Sequence, residues 1–149
     1  MNNENLLFLQ AIKQNNISLI KDLIKKGNNP LISDGFAFRF ACENGFNELF
    51  DFVSSLKEYK DYKINKKLFT EVIRTNNFKI THSLIVNDHL LPECFDYKLI
   101  EKSYSLSNEI EVTLLLFNIS SLRKDLKKNN PELYLKIDKH KLKYNFNEF

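Results

Sequence analysis

The chain has 149 residues, 43% apolar and 28% charged, with a net charge of +3 at neutral pH. A chain of this length buries roughly 70% of its unfolded surface without staples, and a charge this small falls short of a nucleic-acid specialist. Two cysteines exclude a disulfide framework and fit a reducing compartment; no run approaches the ~18 apolar residues of a membrane span.

The opening stretch MNNENLLFLQAIKQNN is too polar for a secretory leader, so a cytoplasmic protein is expected. Heavy use of Asn and Lys, as in KQNN, KKGNNP, RTNN and KKNNP, points to an AT-rich coding genome. A rhythm starts at once. The first unit reads LFLQAIKQNNISLIKDLI, the second AFRFACENGFNELFDFV, the third LFTEVIRTNNFKITHSLI and the fourth IEKSYSLSNEIEVTLLLF. Their turn residues are Asn15, Gly45, Asn76 and Asn108, separated by 30, 31 and 32 positions. Gly and Asn are the residues that most readily adopt the left-handed conformation that ends a helix.

Four residues past each turn stand Leu19, Leu49, Ile80 and Val112, and eight past stand Leu23, Val53, Leu84 and Leu116. That spacing puts each pair on one helical stripe. Four residues before the turns stand Ala11, Ala41, Val72 and Tyr104, the first two small enough for close helix packing. Each unit is thus expected to be a pair of short helices around a tight turn. Helices of this length are marginal alone and must bury their stripes against a neighbour, which predicts an all-α stack, an α-solenoid. Polar connections carrying Pro30 and Pro92 separate the units.

Helix–turn–helix units of 30–32 residues with the core FACENGFNELFDFV (40–53) resemble ankyrin repeats. Phe40, Ala41, Cys42, Gly45, Leu49, Phe50 and Val53 fall in the matching slots. The resemblance implies four repeats over 1–126, with units at 3–34, 35–64, 65–96 and 97–126, and a C-terminal cap or tail over 127–149. The Thr-Pro-Leu-His opening of that family is absent, with Phe36-Ala37-Phe38-Arg39 in its place, so loops of unequal length are expected between units.

The C-terminal segment breaks the rhythm. Asn130-Pro131 reads as an N-cap followed by Pro at the first helical position, predicting a capping helix with Leu133, Ile137 and Tyr144 on one face. The rival is a hairpin, alternating Leu133/Leu135/Ile137 with Leu142/Tyr144/Phe146.

Candidate chemistry is sparse. His82 falls off the apolar stripe of the third unit and reads as a surface residue. Asp88, His89, Glu93 and Cys94 are ligand-capable types, but one half-site is less than zinc needs. Cys42 sits where ankyrin-like units place a small buried residue, so an inert thiol is expected. Gly27, Gly35 and Gly45 are too far apart for a phosphate loop. No enzyme, cofactor or metal is therefore expected.

The resemblance implies binding to another protein through the residues just before each turn and through loop tips. Those are Lys13, Gln14, Glu43, Asn44, Arg74 and Thr75, with Ser33 and Asp34 on a loop. In the fourth unit Leu106 and Ser107 fill the slots. The expected function is a non-catalytic adaptor or inhibitor acting as a monomer or weak homodimer. A viral or parasite protein aimed at a host factor suits the small Asn/Lys-rich array. The alternative is a nucleic-acid binder using Lys57, Lys60, Lys63, Lys66 and Lys67 with Tyr59 and Tyr62, plus the basic segment KIDKHKLKY.

Overall fold

The computed structural model describes residues 2–106 and 109–141. Every regular element among them is helical, apart from one isolated parallel bridge between Ile64 and Leu90. The chain divides into two compact units, Met1–Tyr62 and Lys63–Phe149.

The first unit holds α1 (Asn3–Lys13), α2 (Ile17–Lys25), α3 (Ile32–Asn44) and α4 (Asn47–Ser54), then a 3-10 turn at Lys57–Tyr59. α1 pairs with α2 and α3 with α4, and α1 packs on α3. The second unit holds α5 (Lys66–Arg74), α6 (Phe78–Val86), a 3-10 turn at Pro92–Cys94, α7 (Lys98–Leu106), α8 (Glu111–Phe117), α9 (Ser120–Asn129) and α10 (Pro131–Lys141). There α5 packs on α7 and α6 on α8.

The turns form as the residue types demand. Asn15 has φ 52°, Gly45 φ 68° and Asn76 φ 53°, all left-handed. Asn108 lies outside the described residues. In two of these turns the next N–H reaches back five residues: Asn16 N–H donates to the Ala11 carbonyl and Phe46 N–H to the Ala41 carbonyl, each at 3.0 Å. The second helices end the same way, on Gly27 (φ 102°) and Asp88 (φ 57°), with Asn28 N–H donating to the Leu23 carbonyl and His89 N–H to that of Leu84.

The repeated Asn-Asn pairs are a two-part device. The first Asn ends one helix in the left-handed region. The second caps the next: Leu19 N–H donates to Asn16 Oδ1 at 3.1 Å and Ile80 N–H to Asn77 Oδ1 at 2.9 Å. Asn2, Asn65 and Asn130 cap α1, α5 and α10 in the same manner. The asparagine content thus has a structural use, whatever the coding bias.

Of the eight stripe positions, seven are buried; Leu19 is half-buried, and Ile20 takes its place in the core. Ala11, Ala41 and Val72 are buried, whereas Tyr104 is half-buried. α8 is enclosed on all sides, Val112 through Phe117, because α6, α7, α9 and α10 all touch it. Its one buried hydroxyl, on Thr113, is 2.7 Å from Ser103 Oγ on α7, so neither is orphaned.

α10 settles the C-terminal alternatives over its length. Leu133 N–H donates to Asn130 Oδ1 at 3.2 Å, Pro131 takes the first helical position and Ile137 is buried. Leu135, which the hairpin would pair inward with Leu133 and Ile137, is 59% exposed. Leu142, Tyr144 and Phe146 lie outside the described residues. α9 runs across the expected boundary at 126/127 and pairs with α10.

The connections differ in length. In the first unit, Tyr59 is fully buried, stacks on Phe38 at 5.4 Å and donates its hydroxyl to the Pro30 carbonyl at 2.5 Å. In the second, Ile64 N–H donates to the His89 carbonyl at 2.8 Å and Leu91 N–H to the Ile64 carbonyl at 3.0 Å. Lys63 pairs with Asp88 at 2.8 Å and Lys66 with Asp96 at 2.5 Å. Burial raises the Asp96 carboxyl, but hydrogen bonds from Lys66 Nζ and the Lys98 N–H outweigh it and hold it below the usual carboxylate range.

The two asparagines of one turn respond differently to change. Asn16→Ala is expected to lower unfolding free energy by about 1 kcal/mol through loss of the cap. Asn15→Gly keeps the left-handed residue and is expected to stay within about 0.5 kcal/mol of the parent. Urea denaturation followed by circular dichroism measures both. Gly35 is a third point of sensitivity: it has φ 74°, and a Cβ there would stand 2.5 Å from Tyr62 Cε2. Gly35→Ala should cost about 2 kcal/mol or more in the same assay.

Candidate functional site

All eight residues that the repeat resemblance assigns to a partner are exposed. Lys13 ends α1 and Gln14 caps it, its N–H bonded to the Gln10 carbonyl at 2.9 Å. Glu43 and Asn44 end α3, and Asn44 Nδ2 donates to the Phe40 carbonyl at 2.9 Å. Each pair immediately precedes the left-handed residue of its own turn. Arg74 and Thr75 do so in the second unit. Arg74 is ion-paired with Glu71 one turn back, and Thr75 Oγ1 donates to the Val72 carbonyl at 2.7 Å.

Ser33 and Asp34 have non-helical backbone, at a kink near the start of α3. They lie in α3, at its start, in a left-handed turn: Ser33 has φ 51°, Asp34 φ 56° and Gly35 φ 74°. Two consecutive non-glycine residues there cost roughly 1–2 kcal/mol each unless their surroundings compensate. Arg39 supplies part of that compensation. Its Nη2 donates to the Ser33 carbonyl at 2.7 Å and its Nε to the Asp34 carbonyl at 3.1 Å. Tyr62 adds its hydroxyl, donated to the Asp34 carbonyl at 2.8 Å, and lays its ring over Gly35.

Between these two polar ends of α3 runs an aromatic ladder. Phe36 and Phe40 have ring centres 5.3 Å apart, Phe40 and Phe46 5.7 Å apart. All three are half-buried. The Arg39 guanidinium lies 5.9 Å from the Phe36 ring centre. Sequence reasoning put Phe40 among the core slots and passed over Phe36 and Phe46. The spacing of 36 and 40 was the available signal, but an i, i+4 pair of Phe reads equally well as core. Only the burial of Phe38 on the opposite side of the helix separates the faces.

The other candidates are engaged in structure. Cys42 is fully buried, and burial pushes its thiol far above the normal range. Cys94 is buried too, its thiol pushed up to about 11, with Sγ 3.5 Å from the Ile64 carbonyl. His89 is buried beside the Ile64–Leu90 bridge, and Glu93 Oε1 accepts the Lys66 N–H at 3.1 Å. Among the described residues no group of three or more His, Cys, Asp or Glu could hold a metal ion. His82 is exposed, its ring stacked on Phe78 at 5.8 Å.

In the Lys/Tyr stretch, Tyr59 has no surface left for a base and Tyr62 is committed to Gly35 and Asp34. Lys63 and Lys66 hold carboxylates. Among the described residues no helix is long and apolar enough to cross a membrane. No family model, curated protein or solved structure matches the chain.

Both thiols should resist a disulfide probe such as 5,5′-dithiobis(2-nitrobenzoate) at pH 8, reacting only as urea unfolds the chain. The Cys94 thiol is raised on folding, so its contribution is complete below the ordinary thiol range and is lost as pH rises toward about 11. Rapid labelling of either thiol in the folded protein would contradict this burial.

Proposed function

We propose that the protein is a non-catalytic protein-binding module of degenerate ankyrin-like repeats, acting as an adaptor or inhibitor. The observation that carries this reading is the outer face of α3 together with the start of α4. Phe36, Phe40 and Phe46 form a half-exposed apolar strip beside Arg39, and exposed polar residues close both ends: Ser33 and Asp34 at one, Glu43 and Asn44 at the other. Protein interfaces share this anatomy, with aromatic and Arg anchors inside a polar rim. The main-chain ties on Arg39 and Asn44 hold the rim in place, so little order is lost on binding.

Three further features support the reading. The turn positions recur at 30–32 residues, three of them, Asn15, Gly45 and Asn76, are left-handed, and within each unit the first helices of successive pairs pack together. Lys13 and Gln14 extend the polar rim from α1, which packs on α3. Arg74 and Thr75 are the corresponding positions of the second unit. The mixed signs of Lys13, Glu43 and Arg74 suit a polar protein surface. A small Asn/Lys-rich array of this kind fits a viral or parasite factor that occupies a host protein, in the host cytoplasm.

Affinity capture from the native cell, or from its host, followed by mass spectrometry identifies the partner. Phe36→Ala with Phe40→Ala should weaken the captured complex at least tenfold, with unfolding midpoints confirming that the chain still folds. Reversing Lys13, Glu43 and Arg74 together should lower it further. A partner that stays fully bound to both variants would place the contact elsewhere.

A further inference from the structure

Charge is distributed unevenly along the chain. Residues 120–141, spanning α9 and α10, hold seven basic and three acidic side chains, a net of +4. The chain as a whole carries +3, so the remainder is −1. This helical pair therefore carries a larger net positive charge than the whole chain does.

Within α9 the burial pattern decides which residues face outward. Leu122 and Leu126 are buried and Arg123 is half-buried. Lys124, Lys127 and Lys128 are all exposed, and their i, i+3, i+4 spacing puts them on one ridge. The single acid of α9, Asp125, is exposed at one flank of the ridge, about 100° around the helix from Lys124 and about 60° from Lys128. No ion pair between these three lysines and a carboxylate is present among the described residues. Lys127 is also held in position: its Nζ lies 5.4 Å from the centre of the Tyr134 ring, which packs on Phe117 at 5.3 Å. Favourable charge at a helix C-terminus accounts for Lys127 and Lys128 in the last turn, but not for Lys124.

We propose that the Lys124–Lys127–Lys128 ridge docks the phosphate backbone of a nucleic acid without reading its sequence. The ridge is a row of point charges, with Tyr134 beside Lys127 as its one aromatic neighbour, and a row of charges suits a linear polyanion whose phosphates carry no sequence information. A membrane surface is the poorer fit. A helix that lies in a bilayer interface brings apolar residues on the immersed face, and the α9 ridge has none. The site uses none of the residues of the α3 face and does not depend on the protein-binding reading. It also differs from the Lys/Tyr stretch at 57–67.

Fluorescence anisotropy of the full chain with a labelled 20-base-pair DNA duplex at 50 mM salt tests it. Binding is expected, with a log–log salt slope of roughly −3 for three neutralised phosphates. K124E/K127E/K128E should abolish it, and K124Q/K127Q/K128Q should weaken it at least tenfold with an unchanged unfolding midpoint. K57E/K60E should have no effect. The proposal is overturned if the duplex does not bind, if affinity ignores salt, or if the ridge variants bind as the parent does. Equal or tighter binding to phosphatidylserine vesicles, lost in the same variants, would reassign the ridge to membranes.

Discussion

The described chain depends on one backbone event: a residue that enters the left-handed region at a helix end and reverses the direction of the chain. It turns α1 onto α2, α3 onto α4 and α5 onto α6. The residue must be Gly, Asn or Asp, because a Cβ of ordinary bulk meets the following carbonyl there. Asn15, Gly27, Gly45, Asn76 and Asp88 all satisfy that demand. The bonds that follow, from Asn16, Asn28, Phe46 and His89 back to carbonyls of the previous helix, occupy acceptors that would otherwise be orphaned.

The same conformation is used once for a different end. Ser33, Asp34 and Gly35 are left-handed in succession, and Ser33 is not one of the residue types that enter that region readily. The arrangement persists because Arg39 and Tyr62 bind the carbonyls that it presents. Tyr62 lies 28 residues from Asp34, so a contact distant in sequence holds a local strain in place. It also spreads α3 into two faces. One carries Phe38 into the core against Phe50 and Tyr59. The other leaves Phe36 and Phe40 partly in water, beside Phe46 at the start of α4.

Much of this was legible residue by residue. The turn positions at 15, 45 and 76 were readable because left-handed geometry restricts residue type so strongly. The capping of α10 was readable from a different local rule: an Asn N-cap followed by Pro at the first helical position leaves few alternatives. The exposure of Lys13, Gln14, Glu43, Asn44, Arg74 and Thr75 followed from their place beside a turn. The role of the second Asn in each pair was harder to see, because an asparagine-rich composition hides individual asparagines that cap helices. Leu19 was misplaced by one position, since an i, i+4 rule does not say how far a short helix is rotated against its neighbour.

The sequence by itself determined the helical class, the hairpin rhythm and the polar turn positions. These depend on local steric and hydrogen-bonding rules that act within about six residues. Only the tertiary structure decided the rest. It divided the phenylalanines of α3 between core and surface, removed Tyr59 from the surface, buried His89 beside the Ile64–Leu90 bridge and enclosed α8 on every side. Each of these depends on what another element places opposite, and apolar burial has no direction along the chain that a sequence pattern could record.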